Sequence, residues 1–593
     1  MFDKLLTRTN ARFFRQEPKL IRKQIQSILA ELAGRNHYTQ KGARTIRKEV
    51  VTPNGAAKVS LAVFLVEQEP PFLQNSAVVE QRGAFIYLVE LGDHVAVFYR
   101  NLGDIQSLLP DCLIELPHST TTKVFADGNT RYERLNLRSM SIAKSVIRAR
   151  TIEADDLRGL MSNVTARRSV PRGVRYTSQS GTLTVRPSVS RIQQQSPRQS
   201  ASALAAWATK VISDLPAAST RVIRFLQHFP QPITLADKPT DIVPSGLLLQ
   251  FDELFEQVQD GELQLLVGAS LSTAVSPPSL DPAMQLLRHL SAVADVDASG
   301  DVLWSGQPVG KLVAHKVKYG FRSKQLEHLI VEEVASGDLK TLAGWLGRTQ
   351  NFIVTFSDPQ YAYVGGTLFR DLGLVAGKDL VLQMLETDWP VGACATEKGL
   401  NAAGTAHDPT TSLFGVTETA LSPRMPWLVC DDMGDEWADY IGVDDRPTSP
   451  MVRFVHCKSG AVGLSASEFH VVVSQALKNL GRLLPADDEV TRKAANWSGS
   501  LGTGVPRMVP TTVAPTTADI KAAFARVNSD PQTKREVILV VNFLKKSEIA
   551  TAFNQVAAGT HVAPAAVQLL WLLSSFAHAC LDAGAAPRVK CLP

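Results

Sequence analysis

Apolar positions recur along this chain at two periods. In KLIRKQIQSILAEL (19–32), Leu20, Ile21, Ile25, Ile28 and Leu29 fall at helical spacing, which predicts an early helix. VSLAVFLVE (59–67) and GAFIYLVELGDHVAVFYR (83–100) read as strands, the second folding into a hairpin at Gly92-Asp93. These elements predict an α+β domain over 1–130. LRSMSIAKSVIRARTIEADDLRGLM (137–161) reads as helix. The Ser-, Gln-, Pro- and Arg-rich run from 165 to 200 reads as an exposed arm or linker, so 131–200 separates the N-terminal domain from the rest of the chain.

Residues 201–315 alternate helical and strand-like runs. LQLLVGASL and DVLWSGQPVGKLVAH are the strand candidates, and Trp207, Trp304 and Trp345 read as core. From about 316 to 593 the alternation becomes continuous. A helix over KQLEHLIVEEVASG precedes strands NFIVTFS and YAYVGGTLF, where Gly365-Gly366 reads as a turn. VILVVNFL, the helix AVQLLWLLSSFAHACLDAG and the strand RVKCL close the chain. The fold class expected is α/β (α+β overall), with a C-terminal mixed sheet flanked by helices and a separate N-terminal α+β domain.

Composition adds bounds. With 45% hydrophobic and 20% charged residues in 593, the chain has the profile of a globular protein of several domains. Six cysteines without a CxxC pair argue against a zinc knuckle or disulfide framework and suit a reducing compartment. The N-terminus lacks the apolar core of a signal peptide, and the apolar run Val567–Ala579 is short for a membrane span, so a cytoplasmic protein without membrane contact is expected. Net charge is +5, yet 131–198 carries fourteen Arg/Lys against four Asp/Glu. Arg148, Arg150, Arg167, Arg168, Arg172 and Arg175 are therefore candidate phosphate contacts, against a plain solvated linker as the alternative. No GxxxxGK[ST] occurs, so ATP hydrolysis by that route is excluded.

The chemistry concentrates between Trp427 and Gln475. WLVCDDMGDEWADYIGVDD supplies Asp431, Asp432, Asp435, Glu436 and Asp439. MVRFVHCK closes an apolar strand with Lys458, and period-2 geometry sends His456 and Lys458 to one side and Cys457 to the other. SASEFHVVVSQALKNL is an amphipathic helix carrying Gln475. Carboxylates around a divalent ion, with a lysine beside them, are what phosphodiester hydrolysis requires. Each feature has a plainer reading: a polar turn for the acidic run, a cross-strand ion pair for Asp439 and Lys458, a buried histidine for His456.

Residues from about 385 to the C-terminus resemble restriction-endonuclease-like (PD-(D/E)XK) nuclease domains of prokaryotic anti-phage defence and helicase-associated proteins. In those, a segment similar to DDxGxGExADxI precedes a strand ending HCK, and a helix with a glutamine comes next. The resemblance implies Asp432, Glu436 and Asp439 as acidic ligands of Mg2+ (or Mn2+). It implies Lys458 as catalytic lysine and Gln475 as the helix glutamine. Glu397 is similar to a glutamate in the helical segment that precedes the motif. Many members carry Glu or Asp where this chain has His456. Either His456 ligates or positions the attacking water, or Glu436 or Glu397 supplies the missing carboxylate. The function implied is a Mg2+-dependent DNA endonuclease, an effector of antiviral defence. It would work with DNA, with a helicase or ATPase subunit, or as a homo-oligomer. The alternatives are a catalytically inactive DNA-binding or interaction subunit and an RNase.

Overall fold

The computed structural model describes residues 2–35, 37–70, 73, 78–102, 105, 108–143, 148–161, 168–304, 306–315, 317–334, 337–371, 377–464, 466–502, 504–510, 516–560 and 562–593. The fold is mixed α+β, built on several sheets.

The N-terminal sheet has twelve strands and runs well past residue 130. The hairpin at Gly92-Asp93 forms as the pattern predicts, pairing Glu80–Leu91 with His94–Arg100. The stretch from 131 to 200 departs from expectation. Among its described residues there is neither the expected long helix nor an arm. Arg131–Ser139, Ala149–Glu153, Ser169–Ser178, Gly181–Arg186 and Arg191–Gln194 are all strands of this sheet. The physical signal is alternation: Leu135 and Leu137, then Val174 and Tyr176, are buried with polar residues between them on the other face, and a bulge at Glu133 brings Tyr132 to the buried side as well. A composition rich in Ser, Arg and Gln is thus the polar half of an antiparallel sheet. Helix Ala201–Thr220, capped by the Ser200 side chain, lays Leu204, Ala208, Val211 and Leu215 on the apolar face.

A nine-stranded sheet occupies the middle of the chain and extends to Arg370. It takes Phe352–Phe356, Tyr361–Val364 and Thr367–Arg370, strands that the sequence pattern groups with the C-terminal sheet. KQLEHLIVEEVASG is a second departure. Among its described residues only Lys324–Glu327 is helical, and Leu329–Glu333 is the central strand of a three-stranded sheet with Leu263–Val267 and Asp338–Thr341. The apolar Leu329-Ile330-Val331 run finds strand partners on both sides, and tertiary pairing overrides the helical spacing.

The C-terminal unit is a six-stranded sheet: β1 (Leu385–Glu386), β2 (Trp427–Cys430), β3 (Tyr440–Asp444), β4 (Met451–Lys458), β5 (Lys534–Lys545) and β6 (Ala586–Leu592). Its spatial order is β1-β6-β5-β4-β3-β2. The pairs β2–β3 and β3–β4 are antiparallel, and the rest are parallel. Helices α1 (Leu413–Leu421), α2 (Ala466–Lys478), α3 (Asp487–Trp497), α4 (Thr517–Ser529), α5 (Lys546–Ala557) and α6 (Pro564–Asp582) cover both faces. Alternate residues of β4 divide between two cores. Val452 and Phe454 pack with α2 to α6, whereas Val455 and Cys457 pack with α1. Helix α6 is apolar on all sides because α2 lies against it on one side and the middle sheet on the other. By length and composition it is long enough to cross a membrane (mean hydropathy 1.4), and 67% of that apolar window is buried inside the protein.

Candidate active site

The acidic run between β2 and β3 is sorted by the fold into two groups. Asp431 and Asp435 turn toward α3. Lys493, with a side chain wholly buried, lies 3.0 Å from the Asp431 carboxylate and 3.2 Å from Asp435. Trp497 Nε1 donates to Asp431 at 2.7 Å, and the Trp437 amide donates to it at 2.8 Å. This group fixes the loop. Asp432, Glu436 and Asp439 turn the other way, with one carboxylate oxygen from each lying within 4.8 Å of the others.

Asp439 precedes β3 directly. Tyr440 pairs with Val455, so continuing the register one step sets Asp439 across from His456. Its Oδ2 accepts the Cys457 N–H at 2.7 Å. Lys458 ends β4, and its Nζ lies 3.3 Å from Glu397 Oε2. Glu397 is not helical here. It sits in the loop before α1, where its backbone carbonyl accepts the Phe414 N–H and its carboxylate accepts the Ser459 N–H at 3.2 Å. The strap between β1 and α1 thereby reaches the end of β4, and Glu397 bears on Lys458 rather than joining the three-carboxylate cluster.

Electrostatics single out Asp439. Burial pushes its carboxyl up to about 8, against the Cys457 N–H; the neighbouring Glu436, Asp432 and Glu397 charges push the same way as burial. Burial, then Asp432, raises Glu436 as well, and Lys478 and Lys398 oppose this. Lys398 Nζ pairs with Asp432 at 2.7 Å; burial works against its charge, but Asp432, Asp439 and Glu397 hold its pKa above the ordinary value. His456 is pushed down to about 3 by burial and then by Lys478, so it is neutral at physiological pH. Its buried Nε2 has no hydrogen-bond partner among the described residues. Gln475 lies one helical turn before Lys478 on α2, half-buried and without a hydrogen bond to a described residue.

Three oxygen donors at this separation suit a hard divalent cation such as Mg2+ or Mn2+. Lys398, Lys478 and Asn542 were not singled out by the sequence. Asn542 donates to Ser459 Oγ at 3.0 Å and to the Cys394 carbonyl at 2.9 Å, and it accepts the Gly460 N–H at 3.0 Å. It ties the end of β4 to the strap that carries Glu397. A lone amide inside VILVVNFL was its available signal.

The described arginines among those read as phosphate contacts lie elsewhere and are engaged with the protein. Arg148 pairs with Asp252 at 3.3 Å, Arg150 with Asp582 at 2.8 Å, and Arg175 with Glu133 at 2.9 Å. Arg168 is buried, 3.4 Å from Asp371, and lies over the Trp571 ring at 3.5 Å. Arg172 is half-buried beside Gly365. Arg167 lies outside the described residues. The described side chains among them link strands, helices and turns of the fold and are not presented on an arm.

Compared with known proteins, the chain matches no protein-family model, no curated protein and no solved structure.

Proposed function

We propose that the C-terminal unit is a restriction-endonuclease-like, metal-dependent nuclease that hydrolyses DNA phosphodiester bonds, and that the whole chain is a cytoplasmic effector of prokaryotic defence. The observation that carries this reading is the convergence of Asp432, Glu436 and Asp439 at the head of β3, with Lys458 ending the adjacent antiparallel strand. The hairpin β3–β4 is the kind of element from which such nucleases present an acid and a lysine, and the glutamine helix comes after it in order.

Asp432, Glu436 and Asp439 would hold Mg2+. When bound, the ion lowers the pKa of water and offsets charge developing on the phosphate. Lys458, steadied by Glu397, presents an ammonium to the scissile phosphate and its attacking water. Glu397, Ser459 and Asn542 fix that lysine's strand end, which is a positioning role. Asp431, Lys493 and Trp497 keep the acidic loop in shape from outside the cluster. Gln475 orients the site from α2.

His456 favours a second reading. It occupies the place where many relatives of this fold carry a carboxylate, and it is buried and neutral. A non-cleaving DNA-binding subunit would keep the fold and tolerate that residue. Plasmid nicking with Mg2+ or Mn2+ separates the two. Wild type should cleave, and Asp439→Ala and Lys458→Ala should not. If all three proteins nick equally, or none does with any divalent ion, the catalytic reading fails. Replacing the plasmid by RNA in the same assay tests an RNase.

A further inference from the structure

The strap before α1 sends two neighbouring side chains to the site, each toward a group of opposite charge. Glu397 reaches Lys458 at 3.3 Å, and Lys398 reaches Asp432 Oδ2 at 2.7 Å. The first contact holds the end of β4. The second sets an ammonium on one of the three clustered carboxylates. We propose that Lys398 takes the place of a second metal ion, so that the cluster binds one divalent cation and not two. This rests on the reading of Asp432, Glu436 and Asp439 as the cation site, and it adds the number of ions.

Local geometry fixes the ammonium. Thr396 Oγ1 accepts the Gly399 N–H at 3.1 Å, closing a tight turn in which a β-carbon on residue 399 would collide with that oxygen. Thr396 is bridged to Ser412, whose side chain caps α1. Lys398 Nζ lies 5.4 Å from the centre of the Phe414 ring, which is fully buried in the first turn of α1. An aromatic face and a carboxylate are therefore its neighbours.

Charge sets the number of ions. Four carboxylates meet here: Asp432, Glu436 and Asp439 in the cluster, and Glu397 beside Lys458. Lys398 and Lys458 supply two positive charges, each in an ion pair. With the acids ionised, the balance is two negative charges, which one divalent cation neutralises. Without Lys398 three would remain, an excess that attracts a second ion. Lys478 acts on Glu436 from α2 but is exposed, so solvent screens it. Two-ion phosphodiester sites hold their cations ~3.5–4 Å apart. A carboxylate between them gives an oxygen to each, and Asp432 gives one of its two to Lys398.

A separate observation marks this as a place for a ligand. His456 lies across from Asp439, and its buried Nε2 has no hydrogen-bond partner among the described residues. An interior ring nitrogen left unbonded calls for a ligand or a water beside it.

Counting manganese tests the proposal. Equilibrium dialysis of the full chain against Mn2+, with electron paramagnetic resonance of the bound ions, should give one isolated ion for wild type. Lys398→Met should bind two spin-coupled ions, the first about tenfold more tightly than in wild type because a positive charge has left the cluster. Lys398→Arg should return the count to one, and Asp439→Asn should weaken binding at least about tenfold. The Lys398–Asp432 pair is part-exposed and adds little to stability, so these Lys398 variants should fold, which urea unfolding checks. Two ions on wild type overturn the proposal and leave the nuclease reading standing. So does a count of one or none on folded Lys398→Met, or of two on Lys398→Arg. No ion on wild type at millimolar Mn2+, or an affinity that Asp439→Asn leaves unchanged, overturns both.

Discussion

The Asp439 carboxylate accepts the amide hydrogen of Cys457 at 2.7 Å, tying the head of β3 to β4 one residue before Lys458. One acid thus does two jobs. It fixes the strand that presents the lysine, and it stands in a cluster with Asp432 and Glu436. The strand pair and the site are therefore set by the same side chain.

The raised Asp439 pKa gives the metal-free protein a pH-dependent stability. Unfolded, this carboxyl titrates near 3.8; folded, near 8. Between those values the native state holds a proton that the unfolded chain has released, so stability falls as pH rises through the window and levels off above it. The full effect is at most about 6 kcal/mol. Asp439→Asn keeps an acceptor for Cys457 and cannot ionise. In EDTA it should resist urea better than wild type at about pH 9 and equal it at about pH 4. Equal midpoints at both pH values would contradict this account. Saturating Mg2+ should stabilise wild type at high pH and release a proton on binding, and the variant should show neither effect.

Lys458 is expected to act on the reaction and not on metal affinity. Its Nζ is held by Glu397, outside the three-carboxylate cluster. Lys458→Ala should lower plasmid cleavage about 10²- to 10³-fold. Mg2+ affinity by calorimetry should stay within about threefold, and stability should move by less than about 1 kcal/mol because the ion pair is part-exposed. A large loss of Mg2+ affinity would instead make the lysine a keeper of the cluster.

The hairpin, the glutamine helix and the acid-to-lysine order were legible because each is a local pattern: alternation in MVRFVHCK, helical spacing in SASEFHVVVSQALKNL. What was not legible depended on partners distant in sequence. Nothing local distinguishes Asp431 from Asp432, yet Lys493, sixty-two residues further on, draws one into the core and leaves the other on the cluster. Likewise Arg168 resembles its neighbours in composition, and only Trp571 and Asp371 make it a buried residue. In 131–200 composition outweighed period, and the alternation of Leu135 with Leu137 and of Val174 with Tyr176 was the better guide. Glu397 matched by residue type but sits on a strap, because Asn542 and the Ser459 amide draw the loop across the end of β4.

Lys493 is fully buried against an equally buried Asp431, so removing one partner strands a charge. Lys493→Met should cost about 3–5 kcal/mol in urea unfolding. Asp431→Asn combined with Lys493→Met should recover much of that loss, since neither charge then remains in the core. Both variants should also lose Mg2+ affinity to the extent that the loop no longer presents Asp432 and Glu436. If the double variant is no more stable than the single one, the pair is not the loop's anchor.

Arg168 distinguishes a structural arginine from a phosphate-binding one. Its guanidinium lies 3.5 Å from the centre of the Trp571 ring and 3.4 Å from Asp371, and little of it reaches solvent. Arg168→Met should destabilise the protein by about 2–4 kcal/mol through the lost cation–π contact and the weakened pairing of Asp371. An arginine bound to backbone phosphate would behave differently: its loss would weaken DNA binding across sequences and lower the salt slope by about one. Fluorescence anisotropy with a labelled duplex over a salt series, beside a urea titration, reads both quantities. The structure requires a shift in the urea midpoint with an unchanged salt slope, and the reverse pattern would return Arg168 to the nucleic-acid surface.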